Sequence, residues 1–205
     1  METSLQKVVY RFREAKNKHL SKVGPFFLKL KISANMMTTV ALLLGLSAIY
    51  FLFNNYILFI IFTILHLLAD GTDGLIARAS QPTKFGEYFD LLSDRSITFF
   101  IFIKIAIYLQ DYYVLVILAL FTITHSIYFL SKMEYPVVFT RTGTVLALFL
   151  YPLGPIFIPT GIYLVVGGFI IYSLISQLRY FLRKRKYGIT INNKIIRGIG
   201  LQLNP

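Results

Sequence analysis

The chain has 205 residues, of which 56% are hydrophobic and only 15% are charged, and its mean hydropathy is +0.66. A soluble domain of this length does not need so much apolar surface, so the composition indicates an integral membrane protein. The net charge of +12 comes from lysines and arginines beside apolar segments, which favours contact with anionic lipid over nucleic acid. The absence of cysteine excludes disulfides and thiol chemistry.

The N-terminal segment has the pattern of an amphipathic helix. Residues 4–23 place apolar side chains along one helical face and basic side chains off it. We expect this helix to lie in the membrane interface, with a solvated basic arm as the alternative. Gly24-Pro25 is expected to end it. Residues 1–31 are therefore assigned to a cytoplasmic juxtamembrane segment.

Six apolar segments follow in the chain. A helix needs about 20 residues to cross the hydrocarbon, and the fifth segment is the shortest of the six. The sequence predicts an all-α, six-transmembrane-helix bundle over residues 32–186 and leaves the order of a cytoplasmic tail, residues 187–205, open. The segments are approximately residues 34–53, 56–78, 86–109, 112–131, 142–158 and 160–182.

The connections between these segments predict the orientation of the bundle. Connections that carry lysine or arginine alternate with connections that carry neither, and the basic stretch Arg183–Lys186 follows the last segment. The positive-inside rule then places both termini in the cytoplasm. We expect an integral protein of the cell membrane.

Acidic residues concentrate between Asp70 and Arg95, which holds five of the nine in the chain. Asp70 and Asp73 are three residues apart and Asp90 and Asp94 are four apart, so each pair shares a helical face. Carboxylates at membrane depth are costly unless they meet a cation, a partner or water. Because the second and third segments run in opposite directions, the two pairs are expected to face each other in a cavity open to the cytoplasm.

This set of carboxylates indicates a metal site. Four carboxylates with no cysteine, and no histidine in the stretch itself, suit Mg²⁺ or Mn²⁺, also accept Ca²⁺, and disfavour Zn²⁺. Two divalent cations would neutralise four negative charges, and two-metal sites serve phosphoryl transfer. Gly74 and Ala77 form a groove for a flat group, Gly86 provides a similar opening, and Arg78 brings a positive charge to the rim.

The stretch resembles the signature of the CDP-alcohol phosphatidyltransferases, Asp-x₂-Asp-Gly-x₂-Ala-Arg-xₙ-Gly-x₃-Asp-x₃-Asp. Seven residues separate Arg78 from Gly86 where the usual pattern has eight. Asn35 and Thr38 resemble the family's Pro-Asn-x-x-Thr, with Ala34 in place of the proline. The signature positions are filled by Asp70, Asp73, Gly74, Ala77, Arg78, Gly86, Asp90 and Asp94.

The resemblance implies an activity and roles for these residues. Family members displace CMP from a CDP-linked alcohol, commonly a CDP-lipid, with the hydroxyl of a second alcohol. The four aspartates would hold two metal ions on the diphosphate, and Asp94 would be the general base. The family is commonly homodimeric, which we expect here. The nucleotide would contact Asp73, Gly74, Ala77, Arg78 and Gly86.

Three cations near predicted cytoplasmic helix ends are candidates for binding the acceptor alcohol. Lys132, Arg141 and Arg179 resemble in position the basic residues that bind inositol phosphate in one branch of the family, which favours a phosphorylated polar acceptor. The alternative is that they anchor the helices at the interface. His66, one turn before Asp70, would support a carboxylate or hydrogen-bond a neighbouring helix.

Two other functions use the same kind of residues. A cation transporter or channel would carry ions along intramembrane aspartates, but it would need polar groups continuing to the outer side. A membrane prenyltransferase also holds Mg²⁺-diphosphate with aspartates, but it generally has more spans and lacks Asp-Gly-x-x-Ala-Arg. The lipid tails, the acceptor, and which substrate is the lipid are left open by the sequence.

Overall fold

A computed structural model describes residues 22–135, 137, 140–149, 152, 154 and 160–187. The described residues form helices joined by short turns, and no strand occurs among them. A π-helical segment, Gly161–Val166, leads directly into the last helix. The α-helices are α1 Val23–Lys29, α2 Ala34–Phe51, α3 Tyr56–Ala79, α4 Lys84–Leu109, α5 Tyr112–Leu130, α6 Thr140–Phe149 and α7 Gly167–Tyr187.

Short polar residues begin four of these helices, and at the start of α5 the Asp111 side chain accepts a hydrogen bond from Tyr113 N. Ser33 and Asn55 accept hydrogen bonds through their side chains from the backbone N–H of Met36 and Leu58, at the starts of α2 and α3. Thr83 caps α4 in the same way by accepting from Gly86 N. Each cap satisfies a backbone donor that the first helical turn leaves without a partner. The apolar segments therefore begin where the sequence places a small polar side chain.

The chain divides into two compact units, and the first extends to Ile97. In this unit α2 and α3 form an antiparallel hairpin, in which Phe51 stacks on Phe62 near the turn. α4 runs parallel to α2, since Gly86 approaches Asn35 at one end and Ile97 approaches Gly45 further along. This arrangement places the acidic segments of α3 and α4 beside the first turns of α2.

The predicted helix break at Gly24-Pro25 is wrong, because both residues lie in the first turn of α1. Proline is tolerated there, since the first turn requires no hydrogen bond from its nitrogen. Gly24 is buried against α3, and a Cβ atom on it would lie 2.5 Å from Leu75 O and 2.7 Å from Ala79 Cβ. The glycine therefore allows α1 to pack closely on the motif-bearing helix. The predicted amphipathic helix lies almost entirely outside the described residues.

The second unit begins at Thr98 and contains the end of α4 together with α5, α6, the π-helical segment and α7. α5 and α7 are parallel, because Ile117 contacts the position of Gly167 and Thr124 contacts Gln177 further along both helices. α6 is antiparallel to them: its Ala147 approaches Gly161, whereas its Gly143 approaches Phe169. This alternation of direction agrees with the predicted order of spans.

Four helical segments are long and apolar enough to cross a membrane: Ala34–Phe51, Tyr56–Ala79, Tyr112–Leu130 and Gly161–Lys184. They match the first, second, fourth and sixth predicted spans. α4 matches the third in position but carries Asp90, Asp94, Arg95 and Lys104. α6 has 10 residues, a length of roughly 15 Å, and most of residues 150–159 lie outside the described part. The count of six spans remains a prediction.

Candidate metal centre

Three carboxylates from two helices meet at one point. One oxygen from each of Asp70 on α3 and Asp90 and Asp94 on α4 lies within 4.8 Å of the other two. All three side chains are partly buried. The i, i+4 spacing on α4 aligns its two aspartates, and the packing of α4 beside α3 brings them to Asp70. The predicted meeting of two acidic pairs is thus seen for three of the four residues.

Asp73 occupies a different position beside this cluster. It is 4% exposed, and its Oδ2 accepts a 2.8 Å hydrogen bond from Thr38 Oγ1 on α2. It also interacts electrostatically with both Asp90 and Asp70. The hydrogen bond from Thr38 uses one acceptor site of Oδ2, and a carboxylate has about four such sites, so Asp73 keeps acceptor capacity. Asp73 therefore lies at the edge of the cluster, held in place by the neighbouring helix.

The residues present fit a divalent metal. Three carboxylate oxygens this close repel one another strongly in a partly buried site, and a divalent cation relieves that repulsion. Oxygen-only donors match hard cations such as Mg²⁺, Mn²⁺ and Ca²⁺. The cluster can hold a metal ion.

Two glycines on α3 face open space next to the cluster. A Cβ atom on Gly71 would meet nothing within 4 Å, and one on Gly74 would meet only Arg78 Nη1, at 3.6 Å. The guanidinium of Arg78 therefore lies beside the surface that Gly74 leaves bare. That this surface binds a flat group remains a prediction. Ala77 is partly buried on the same helix. The sequence analysis did not identify the open surface at Gly71. Its position next to Asp70 and one turn before Gly74 could have indicated it.

Gly86 has a different environment from Gly74. A Cβ atom on Gly86 would lie 2.8 Å from Asn35 Oδ1 and 3.1 Å from Thr83 Oγ1. The space left by this glycine is therefore filled by the chain's own side chains, and it allows the start of α4 to approach α2. This explains Asn35 as a packing partner of the motif. A contact between Gly86 and a nucleotide remains a prediction.

His66 connects α3 to α2. It is buried, and its Nδ1 lies 2.8 Å from the carbonyl oxygen of Ala41. Gly45 makes room for this contact, because a Cβ atom there would lie 2.6 Å from Ile97 Cδ1 and 3.2 Å from His66 Nδ1. The geometry matches the hydrogen bond to a neighbouring helix that was one of the two sequence interpretations.

The three cations proposed for acceptor binding all belong to the second unit. Lys132 is exposed in the turn after α5, with a φ of 54°. Arg141 is the second residue of α6 and is partly buried, and Arg179 is exposed in the C-terminal half of α7. All three occur at the end of the unit where α5 and α7 finish and α6 begins. Their contact with one ligand remains a prediction.

Comparison with known proteins agrees with the motif. The family model described as CDP-alcohol phosphatidyltransferase matches residues 31–190, which include α2 to α7 and every residue of the acidic cluster. Searches of curated proteins and of solved structures found no match. The family match covers most of the chain, and three of the four aspartates of its signature lie together in the fold. The chain therefore belongs to the CDP-alcohol phosphatidyltransferase family.

Proposed function

We propose that this protein transfers a phosphatidyl or archaetidyl group from a CDP-linked lipid to the hydroxyl of a small polar alcohol, with release of CMP. The acceptor is proposed to be phosphorylated. The family to which the chain belongs carries out phosphatidyl transfer from a CDP-alcohol, which supports the reaction class. The observation that carries the proposal is the approach of Asp70, Asp90 and Asp94 to within 4.8 Å inside the family signature.

We propose that Asp70, Asp73, Asp90 and Asp94 bind two Mg²⁺ or Mn²⁺ ions. The use of divalent metals by the family and the oxygen-only cluster support this set. Bound ions of this kind would offset the negative charge of the diphosphate and of the transferring phosphoryl group. Thr38 would hold Asp73 in an orientation that leaves acceptor capacity for the cation.

Asp94 is the proposed general base. The acceptor oxygen forms a bond to the phosphorus that carries the lipid, the bridging P–O bond to CMP breaks, and CMP leaves with that bridging oxygen. The hydroxyl proton passes to the Asp94 carboxylate, which must lie within hydrogen-bond distance of the acceptor. Its position on the partly buried face of α4, beside Asp90 and Asp70, supports this role.

The nucleotide is proposed to lie on the bare surface of α3. Gly74 leaves space there, Ala77 adds little bulk one turn further, and Arg78 lies beside Gly74 with a positive charge for a phosphate. Asp73 and Gly86 complete the set that the signature assigns to the nucleotide. The open environment of Gly74 supports this proposal more directly than the filled environment of Gly86.

The remaining proposals concern the acceptor, the membrane and the assembly. We propose that Lys132, Arg141 and Arg179 attract an anionic acceptor, that both termini and the metal centre face the cytoplasm, and that the protein is a homodimer. The alternation of charged and uncharged connections supports the orientation. The apolar helices and the family support an integral membrane protein.

Release of CMP by purified protein in detergent micelles tests the proposal. CMP is expected only when CDP-diacylglycerol, Mg²⁺ or Mn²⁺ and an alcohol such as glycerol 3-phosphate, inositol phosphate or serine are all present. Asp94→Asn is expected to abolish turnover while the melting temperature stays close to that of the unsubstituted protein. Glu87→Gln is the matched control, since it removes an acidic group from the same stretch outside the cluster.

Other outcomes would replace the proposal. Full turnover by Asp94→Asn would remove Asp94 from the reaction. Consumption of a prenyl diphosphate in place of the CDP-lipid would indicate a prenyltransferase. Metal-dependent ion flux in proteoliposomes without nucleotide would indicate a transporter or channel.

A further inference from the structure

The buried faces of the second unit change from apolar to polar along their length. Along the π-helical segment and α7 the buried residues are apolar at Ile162, Val166 and Ile170 and polar at Ser173 and Gln177. The change falls between Ile170 and Ser173. Here we call the end where α5 and α7 finish and α6 begins the polar end.

The neighbouring helices show the same change at the same end. On α5 the buried residues are apolar at Val114 and Phe121 and polar at Thr124 and His125, and the buried Tyr128 and Met133 follow at the same end. α6 runs in the opposite direction, and its order is accordingly reversed: the buried polar residues Thr140 and Thr144 precede the buried Ala147 and Leu148. The second unit therefore has a polar interior at its polar end.

One polar atom of the buried Gln177 side chain, Oε1, has no hydrogen-bond partner among the described residues. It is 3% exposed, and its Nε2 donates a 3.0 Å hydrogen bond to the backbone oxygen of Thr124. Because that oxygen can only accept, the amide must direct its nitrogen to it and its Oε1 elsewhere. No donor among the described residues reaches Oε1, and a buried carbonyl without a donor costs about 1–3 kcal/mol. Thr140 Oγ1, on a residue that is 0% exposed, is likewise without a described partner.

We infer that Gln177 is a specificity residue that accepts a hydrogen bond from a hydroxyl of a polyol. This deepens the proposed function and rests on it in one respect: the polyol would be the acceptor alcohol. An amide oxygen requires a donor, and an ionised phosphate has acceptors almost exclusively, whereas a hydroxyl donates readily. The side chains of Gln177, Thr124 and Thr140 at the polar end are uncharged and both donate and accept hydrogen bonds, so they suit the hydroxyl groups of a ligand.

Charge at the polar end supports a ligand with two chemically distinct parts. Lys132 and Arg179 are exposed there, and Arg141 directly follows Thr140. A phosphorylated polyol would place its phosphate among these cations and its hydroxyls toward Gln177. The reacting hydroxyl is a separate group, so loss of the Gln177 contact weakens acceptor binding without removing the chemistry.

The test compares acceptors that differ by one hydroxyl. Glycerol 3-phosphate is paired with 3-hydroxypropyl phosphate, and inositol phosphate with its deoxy analogues, all with purified protein in micelles containing Mg²⁺. The unsubstituted protein is expected to prefer at least one hydroxylated acceptor by about tenfold in kcat/KM, as one hydrogen bond implies. Gln177→Leu is expected to lose this preference through a raised acceptor KM, with the KM for the CDP-lipid unchanged. Thr122→Val, whose exposed hydroxyl bonds only Leu118 O on the same helix, is the control.

A melting measurement without CDP-lipid separates ligand binding from a structural role and from the reaction itself. The hydroxylated acceptor is expected to raise the melting temperature of the unsubstituted protein. The same acceptor should raise the melting temperature of Gln177→Asn less, or leave it unchanged. This shift would support the inference even if no CMP were formed and the proposed reaction were wrong. Equal use of both members of each pair, together with an unchanged acceptor KM in Gln177→Leu, would overturn it and indicate a buried water at Oε1. A large loss of ligand-free stability in both variants, with acceptor preference intact, would also overturn it.

Discussion

Thr38 Oγ1 on α2 lies 2.8 Å from Asp73 Oδ2 on α3 and 3.1 Å from the carbonyl oxygen of Ala34. A threonine hydroxyl has one proton, so it donates fully to only one of these acceptors at a time. The charged carboxylate is the stronger acceptor. The Thr38 side chain on α2 thus holds the buried Asp73 carboxylate in one orientation at the edge of the aspartate cluster.

Removing this hydroxyl is expected to impair turnover more than folding. Thr38→Val should lower kcat/KM roughly tenfold or more, because a hydrogen bond to a charged group contributes about 1.5–3 kcal/mol. Thr38→Ser should restore most of the loss. Thr39→Val is the adjacent control, since that hydroxyl is exposed and bonds Asn35 O within its own helix. CMP release assays measure the effect, and equal losses in both valine variants would contradict it.

Metal should stabilise the protein through the aspartate cluster. In the metal-free protein the carboxylates of Asp70, Asp90 and Asp94 repel one another, so Asp90→Asn is expected to melt at the same temperature or higher. Saturating Mg²⁺ should raise the melting temperature of the unsubstituted protein, and EDTA should reverse the increase. Asp90→Asn should lose most of this response while Glu87→Gln keeps it. A response retained by Asp90→Asn would place the metal elsewhere.

Gly74→Ala is expected to change stability and activity in opposite directions. The added methyl group meets only Arg78 Nη1, at 3.6 Å, and alanine favours a helix over glycine by about 0.5–1 kcal/mol. The melting temperature should therefore stay equal or rise. The same methyl group would occupy the surface proposed for the nucleotide, so the KM for the CDP-lipid should increase several-fold. An unchanged KM would remove the nucleotide from this surface.

Gly86→Ala should destabilise the protein through one identifiable contact. Its Cβ would lie 2.8 Å from Asn35 Oδ1, which is too close without a shift of α4 or of that side chain. We expect a loss of about 1–2 kcal/mol from overpacking. Adding Asn35→Ala should recover much of it, whereas Asn35→Ala combined with Gly74→Ala should be additive. Thermal unfolding of the single and double variants measures this coupling, and additivity in both pairs would contradict it.

Gly24→Ala should weaken the packing of α1 on α3. The new methyl group would meet a backbone oxygen, Leu75 O, at 2.5 Å, and a backbone atom cannot move aside as a side chain can. The melting temperature should fall despite the better helix propensity of alanine. Gly168→Ala is the control, because a Cβ atom there meets nothing within 4 Å. Equal melting temperatures for the two variants would contradict close packing at Gly24.

Some features of the site followed from spacing alone. The i, i+3 and i, i+4 intervals of the aspartates predicted shared faces, and reversal of direction between α3 and α4 predicted that the faces would meet. The position of Gly74 beside Arg78 was predictable on the same grounds, because residues four apart are neighbours on any helix. The break at Gly24-Pro25 was predicted wrongly, because a proline at a helix start and a proline after a helix end give the same local pattern.

Composition and pattern by themselves indicated that this protein is helical and membrane-embedded, and that acidic residues of α3 and α4 lie close together, while the signature motif indicated its family. These properties depend on the spacing of residues within single segments and on the apolar content of each segment, both of which can be read from the sequence. Only the tertiary structure decided that Thr38 binds Asp73, that Asn35 fills the space at Gly86, and that Gln177 donates a hydrogen bond to Thr124. Such contacts join residues from different helices, and their geometry depends on how closely those helices pack.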